Sequence, residues 1–238
     1  MIDLYWCLSA FVIFLGCAIQ TALGFGMAVV AAPIIVLFKP EWVPVILTIV
    51  VLALSIRNAW NLRNNVEWKL ITPPMISRIP GTILGAWVLT QVPHQVLQLM
   101  VASMVLIAIL ITAFAKPFKS TVTSMSIAGL ISGFTGSTTA IGGPPMALVM
   151  QHGASNNTRA NLSVYFGYSC LLSLVIYQMM GIITRELWLT GLSFIPAGLA
   201  GFYAGIHLRG WVDTRFRPLL LILCSISAVI AFYGALSY

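Results

Sequence analysis

The apolar stretch over residues 4–38 is too long for one membrane-spanning helix and too short for two, and glycine interrupts it at Gly24 and Gly26 within QTALGFGMAVVAAP, which begins at Gln20. A helix rising 1.5 Å per residue crosses a hydrocarbon core of roughly 30 Å in about 20 apolar residues. Each glycine inside a helix costs roughly 1 kcal/mol relative to alanine, so the break constrains the path of the chain. A second long stretch, 122–151, is interrupted by Gly142-Gly143-Pro144-Pro145. The segments 43–62, 70–91, 95–114, 160–181, 187–208 and 217–236 have the length of ordinary spans.

Hydrophobic residues make up 60% of the chain and charged ones 7%, which excludes a water-soluble globule and predicts an all-α polytopic membrane protein. The formal charge of +7 comes from basic residues scattered singly between apolar runs, not from the contiguous stripe that a nucleic acid would need. Asp3 with no basic segment before the apolar run reads as the start of a first membrane segment rather than of a removable signal peptide. Cys7, Cys17, Cys170 and Cys224 lie inside apolar runs without the close spacing of a metal or redox site. They read as small packing residues, and neither a metal nor a cofactor is expected.

The positive-inside rule decides between two paths for the long stretches. If each crosses once, the basic residues divide almost evenly between the two sides. If each turns back, Lys39 and Arg185 lie on one side, and Arg57, Arg63, Lys69, Lys116, Lys119, Arg159, Arg209, Arg215 and Arg217 lie on the other. The second path is therefore expected: hairpins at 4–38 and 122–151, periplasmic termini and cytoplasmic basic loops. Whether the hairpins are re-entrant or reach the far side is not encoded, because 26–38 makes only about 20 Å of helix.

A shift of 116 residues places Gly26 on Gly142, Ser77 on Ser193, Pro80 on Pro196 and Gly85 on Gly201. The expected organisation is thus a first repeat over 1–115 and a second over 116–238, each a glycine-broken hairpin followed by three spans. The predicted topology inverts one repeat relative to the other. Inverted repeats with broken helices in matching positions point to a secondary transporter whose site lies where the breaks meet.

All five acids, Asp3, Glu41, Glu67, Glu186 and Asp213, fall in or beside loops. Cation carriers and proton pumps keep a carboxylate within the bilayer, so the inventory argues for an anionic cargo and leaves no acid–base pair for an enzyme. Arg78 lies at most about 13 Å into its span from Lys69. There it either faces a cavity or an anion, or, if the helix begins at Pro73 or Pro74, snorkels to the cytoplasmic interface. Its repeat counterpart is Phe194.

The breaks supply a second anion-binding chemistry, since a helix beginning inside the membrane presents unpaired N–H groups and a positive dipole end. Candidate donors are Gly26, Met27 and Ala28 in the first half and Gly143 and Met146 in the second, with Gln20, Thr21, Thr135, Ser137, Thr138 and Thr139 clustered around them. The competing reading is that the hydroxyls bond back to their own helices and the glycines serve close packing. His152, Arg159 and Asn161 follow the second break, where a gate and plain interfacial anchoring both fit.

G-F-G-x-x-x-x-x-x-P from Gly24 to Pro33, G-G-P-P-M-A-L-V-M from Gly142 to Met150, the following R-A-N-L-S-V-Y-F and P-G-x-x-x-G from Pro80 to Gly85 together resemble the TauE/SafE sulfite exporter family of bacterial membrane transporters. The resemblance covers essentially the whole chain. It implies passage of sulfite or C2 to C3 organosulfonates across the inner membrane.

The expected function is therefore secondary transport of small sulfur-containing oxyanions by alternating access. An anion channel, a carrier of other small organic anions such as carboxylates, and a non-transporting membrane subunit are the alternatives. The expected substrate site comprises Gln20, Thr21, Gly24, Gly26, Met27, Arg78, Ser137, Thr138, Thr139, Gly142 and Gly143, with Pro80, Pro196, His152, Arg159 and Asn161 as gating or secondary candidates. The expected partners are a small anion and the lipid bilayer. The sequence leaves a homo-oligomer, the coupling ion and the direction of transport open.

Overall fold

The computed structural model describes residues 3–114, 120–150 and 155–208. His152 and the expected span 217–236 lie outside them. The described residues form helices and no strand: α1 (Leu4–Leu23), α2 (Met27–Ile35), α3 (Val45–Asn61), α4 (Trp68–Gln91), α5 (His94–Phe114), α6 (Val122–Thr139), α7 (Gly143–Met150), α8 (Ser155–Met179) and α9 (Arg185–Ser193). After a turn at Phe194 helix resumes over 195–208. Four stretches among the described residues are long and apolar enough to cross a membrane: Leu4–Leu23, Pro40–Asn61, Asn156–Met179 and Arg185–Leu208. The molecule is accordingly a polytopic membrane protein.

Local chemistry sets the helix ends. Asp3 caps α1 by accepting from Trp6 N at 2.7 Å, Thr121 and Ser124 form a capping box on α6, and Thr184 accepts from Leu187 N at the start of α9; each satisfies an N–H that the helix leaves orphaned. α4 begins at Trp68, ahead of Pro73 and Pro74. Arg78 is therefore in its third turn, about 15 Å from the helix start.

Large apolar side chains such as Phe11, Ile83, Trp87 and Ile131 point outward, as a hydrocarbon environment allows. The short α2 is the opposite case. All its residues except Ile34 are buried, which is the pattern of a helix enclosed on every side.

The most extensive helix contact joins α4 to α6, and small residues permit it. A Cβ on Gly81 would lie 2.2 Å from Leu130 O, one on Gly85 2.5 Å from Phe134 O, and one on Gly133 2.5 Å from Arg78 O. The helix over 195–208 meets α1 in the same manner: a Cβ on Gly201 would lie 2.2 Å from Phe14 O and one on Gly205 2.3 Å from Ala18 O. G-x-x-x-G spacing brings backbones together where lipid supplies no hydrophobic drive between helices. The seam against α6 fixes where α4 holds Arg78.

Candidate functional site

The first break is built by two left-handed glycines. Gly24, at φ 93°, ends α1 with its N–H donating to Gln20 O, and Gly26, at φ 116°, precedes α2. Only glycine adopts these angles without a steric penalty. Gln20 then folds over the break, its Oε1 accepting from Met27 N at 3.2 Å. The Met27 N–H, an expected anion donor, is thus capped by the protein's own carboxamide.

The second break is made differently. Gly142 and Gly143 lie outside the left-handed region; the residue there is Ala140, at φ 63°, a conformation that costs an L-residue roughly 1–2 kcal/mol. Its N–H donates to Gly136 O at 3.0 Å. The glycine pair serves close approach instead. A Cβ on Gly142 would lie 2.7 Å from Ser132 O, and one on Gly143 would lie 3.2 Å from Phe25 in the first break. The two breaks are in direct contact.

Arg78 closes the arrangement. It is 3% exposed, its Nη1 donating to Ser132 Oγ at 2.8 Å and Tyr165 Oη at 3.2 Å. Ser132 Oγ donates onward to Gly142 O at 2.6 Å, tying the guanidinium to the second break. Gly136 makes room for it, because a Cβ there would lie 2.7 Å from Arg78 Nη2. Arg78 Nε is buried without a hydrogen-bond partner. These contacts hold the side chain inside the bundle.

A cavity of about 50 Å³ opens between the breaks, lined by Gln20, Gly26, Arg78, Gly142 and Gly143, with Ser169 and Ser173 from α8. By the measure in which one water needs roughly 10–15 Å³, it holds a few waters or one small ion. No acidic side chain lines this cavity among the described residues, and because a buried guanidinium without a counter-charge is costly, the arrangement suits an anion.

Other expected residues sit elsewhere. Thr21 and Gly24 line a separate cavity of about 10 Å³ with Ser55, Asn58 and Ser163; Gln20 lines both cavities. Ser137, Thr138 and Thr139 are buried, but their hydroxyls donate to Gly133 O, Phe134 O and Thr135 O on their own helix. Arg159 Nε donates to Ala22 O at 2.9 Å, and Asn161 Oδ1 accepts from Glu67 N at 2.7 Å. Both contacts anchor the start of α8 to neighbouring elements. Pro80 and Pro196 are exposed.

The sequence reading missed Ser132, Tyr165, Ser169 and Ser173. A signal was present, since Asn161, Tyr165, Ser169, Ser173 and Tyr177 recur every fourth residue along α8, and all five are buried. Successive members of the series are neighbours on the helix surface, and a drift of about 40° per step carries it around α8 from Asn161 to Tyr177. Tyr177 Oη donates to Ser137 O at 2.7 Å, which fastens the stripe to α6.

A family model described as "Sulfite exporter TauE/SafE" matches residues 9–231. No curated protein and no solved structure matches the chain.

Proposed function

This chain belongs to the sulfite exporter TauE/SafE family, a family of membrane transporters for sulfite and related anions, and from that premise we propose a secondary carrier of sulfite or short organosulfonates across the bacterial inner membrane. The observation that carries this reading is the buried Arg78 on the wall of the cavity where the two breaks touch. The guanidinium opposes the substrate's charge. Gly142 and Gly143 let the second break come close, and the neutral hydroxyls of Ser169 and Ser173 line the cavity without adding charge, that of Ser169 donating to Tyr165 O on its own helix.

Alternating access follows from treating the chain as two inverted repeats, each a broken hairpin with three spans and periplasmic termini. The cross-packing of the halves supports this. α4 of the first half meets α6 of the second, while 195–208 of the second meets α1 of the first, in each case through glycine against backbone carbonyl. Phe14 and Ala18 correspond to Leu130 and Phe134 at the 116-residue offset, whereas Gly201 and Gly205 follow Gly81 and Gly85 by 120 residues. The extra four residues are about one helical turn, which preserves the packing face. In that register Gly198, not Phe194, stands opposite Arg78, and the site draws its charge from one half only.

Proteoliposome flux tests the proposal. Saturable uptake of labelled sulfite that is accelerated by unlabelled substrate on the opposite side is the expected result. Large unitary currents without trans-stimulation would instead establish a channel. Arg78→Gln should abolish uptake while the protein remains folded.

A further inference from the structure

We propose that the cavity selects anions carrying one net negative charge, so that a diprotic oxyacid binds and moves as its singly protonated ion. This rests on the anion-site reading above and adds the charge state of the cargo. Arg78 is the single cationic side chain lining the cavity among the described residues. The other buried cation among the described residues, Arg159, donates to Ala22 O and is outside that lining.

The helix ends change this balance little. Each break joins the negative C-terminal end of one helix to the positive N-terminal end of the next, α1 to α2 and α6 to α7, so the partial charges of opposite sign lie side by side and largely offset. The positive ends are also blunted. Gln20 occupies the Met27 N–H, and Pro144 and Pro145 leave the first turn of α7 without two of its donors. The formal charge of Arg78 therefore dominates.

Among the described residues, no titratable group lining the cavity offsets a second negative charge there. Asp3, Glu41, Glu67 and Glu186 sit at helix starts or in connections away from the lining. From α8, Tyr165 accepts from Arg78 Nη1 and Cys170 lines the cavity beside it, and neither side chain is a cation. The faces from α1, α3 and α6 contribute Gln20, Thr48 and Ser132, which are neutral. A monoanion makes the occupied site neutral, whereas a dianion leaves an unpaired charge in a desolvated cavity. The proton that such a substrate needs then travels on the substrate itself.

Equilibrium binding to the purified full-length protein at constant ionic strength, with sulfite, methanesulfonate and sulfate as probes, tests this. Methanesulfonate stays a monoanion, and its affinity should change less than about twofold between about pH 6 and about pH 9. Sulfite should weaken about tenfold per pH unit above its second dissociation, and sulfate should bind at least about tenfold more weakly than methanesulfonate. Sulfate binding as tightly as methanesulfonate, or a flat sulfite profile, would overturn the charge selection and leave the anion site standing. Failure of all three to bind, or binding unchanged in Arg78→Gln, would overturn the anion site and the selection together.

Discussion

Arg78 Nη1 lies 2.8 Å from Ser132 Oγ, and that hydroxyl spends its own hydrogen on Gly142 O. Ser132 thus sets both the aim of the guanidinium and the position of the second break. Ser132→Ala removes a hydrogen bond to a charged group, a contact of about 1.5–3 kcal/mol. The expected outcome is a KM for sulfite raised about tenfold with folded yield preserved, measured by proteoliposome uptake. An unchanged KM would remove Ser132 from the site.

Gln20 caps the Met27 N–H while lining the cavity that holds Arg78. Gln20→Glu places a carboxylate in the cavity lined by Arg78 and should reduce anion binding by about tenfold or more. Gln20→Leu loses the cap, at roughly 1 kcal/mol of stability, without that electrostatic penalty. Parallel binding and thermal unfolding of the two variants separate charge from capping.

Gly81 faces Leu130 O across the α4–α6 seam, with 2.2 Å available to a Cβ. Gly81→Ala must push the helices apart, an overpacking cost of typically 1–3 kcal/mol. Its melting temperature in detergent should fall by several degrees, and sulfite affinity should fall with it because Arg78 rides on α4. A variant as stable as the parent would contradict the seam.

Ala140 holds a left-handed conformation at φ 63°. Ala140→Gly relieves a strain of roughly 1–2 kcal/mol and should raise the melting temperature. A lower melting temperature would mean that the second break has a different backbone path.

Asn64, between α3 and α4, and Glu186, in the first turn of α9, are exposed, and the proposed topology puts them on opposite sides. With the native cysteines replaced by alanine, Glu186→Cys should react with a membrane-impermeant maleimide in intact cells. Asn64→Cys should react only after the inner membrane is opened. The reverse pattern would invert the topology.

The sequence by itself determined the class of molecule, the two interruptions and the suspicion attached to Arg78. Those conclusions need only apolar run lengths, glycine placement and the scarcity of acids, all local in the chain. The tertiary structure decided which groups are available. Ser137, Thr138 and Thr139 look identical to ligands in sequence, yet their hydroxyls bond to carbonyls three or four residues earlier, and Met27, an apparent donor, is already capped.

Tertiary packing also supplied the partners of Arg78. Ser132 and Tyr165 lie 54 and 87 residues away in the chain, a proximity created by glycine seams between helices rather than by any local spacing. The left-handed residue of the second break was likewise illegible, because the glycine pair beside Ala140 drew attention to the wrong position. Hydrophobic burial and backbone hydrogen bonding fix helices from nearby sequence; the site depends on which polar atoms remain unpaired once distant helices have packed.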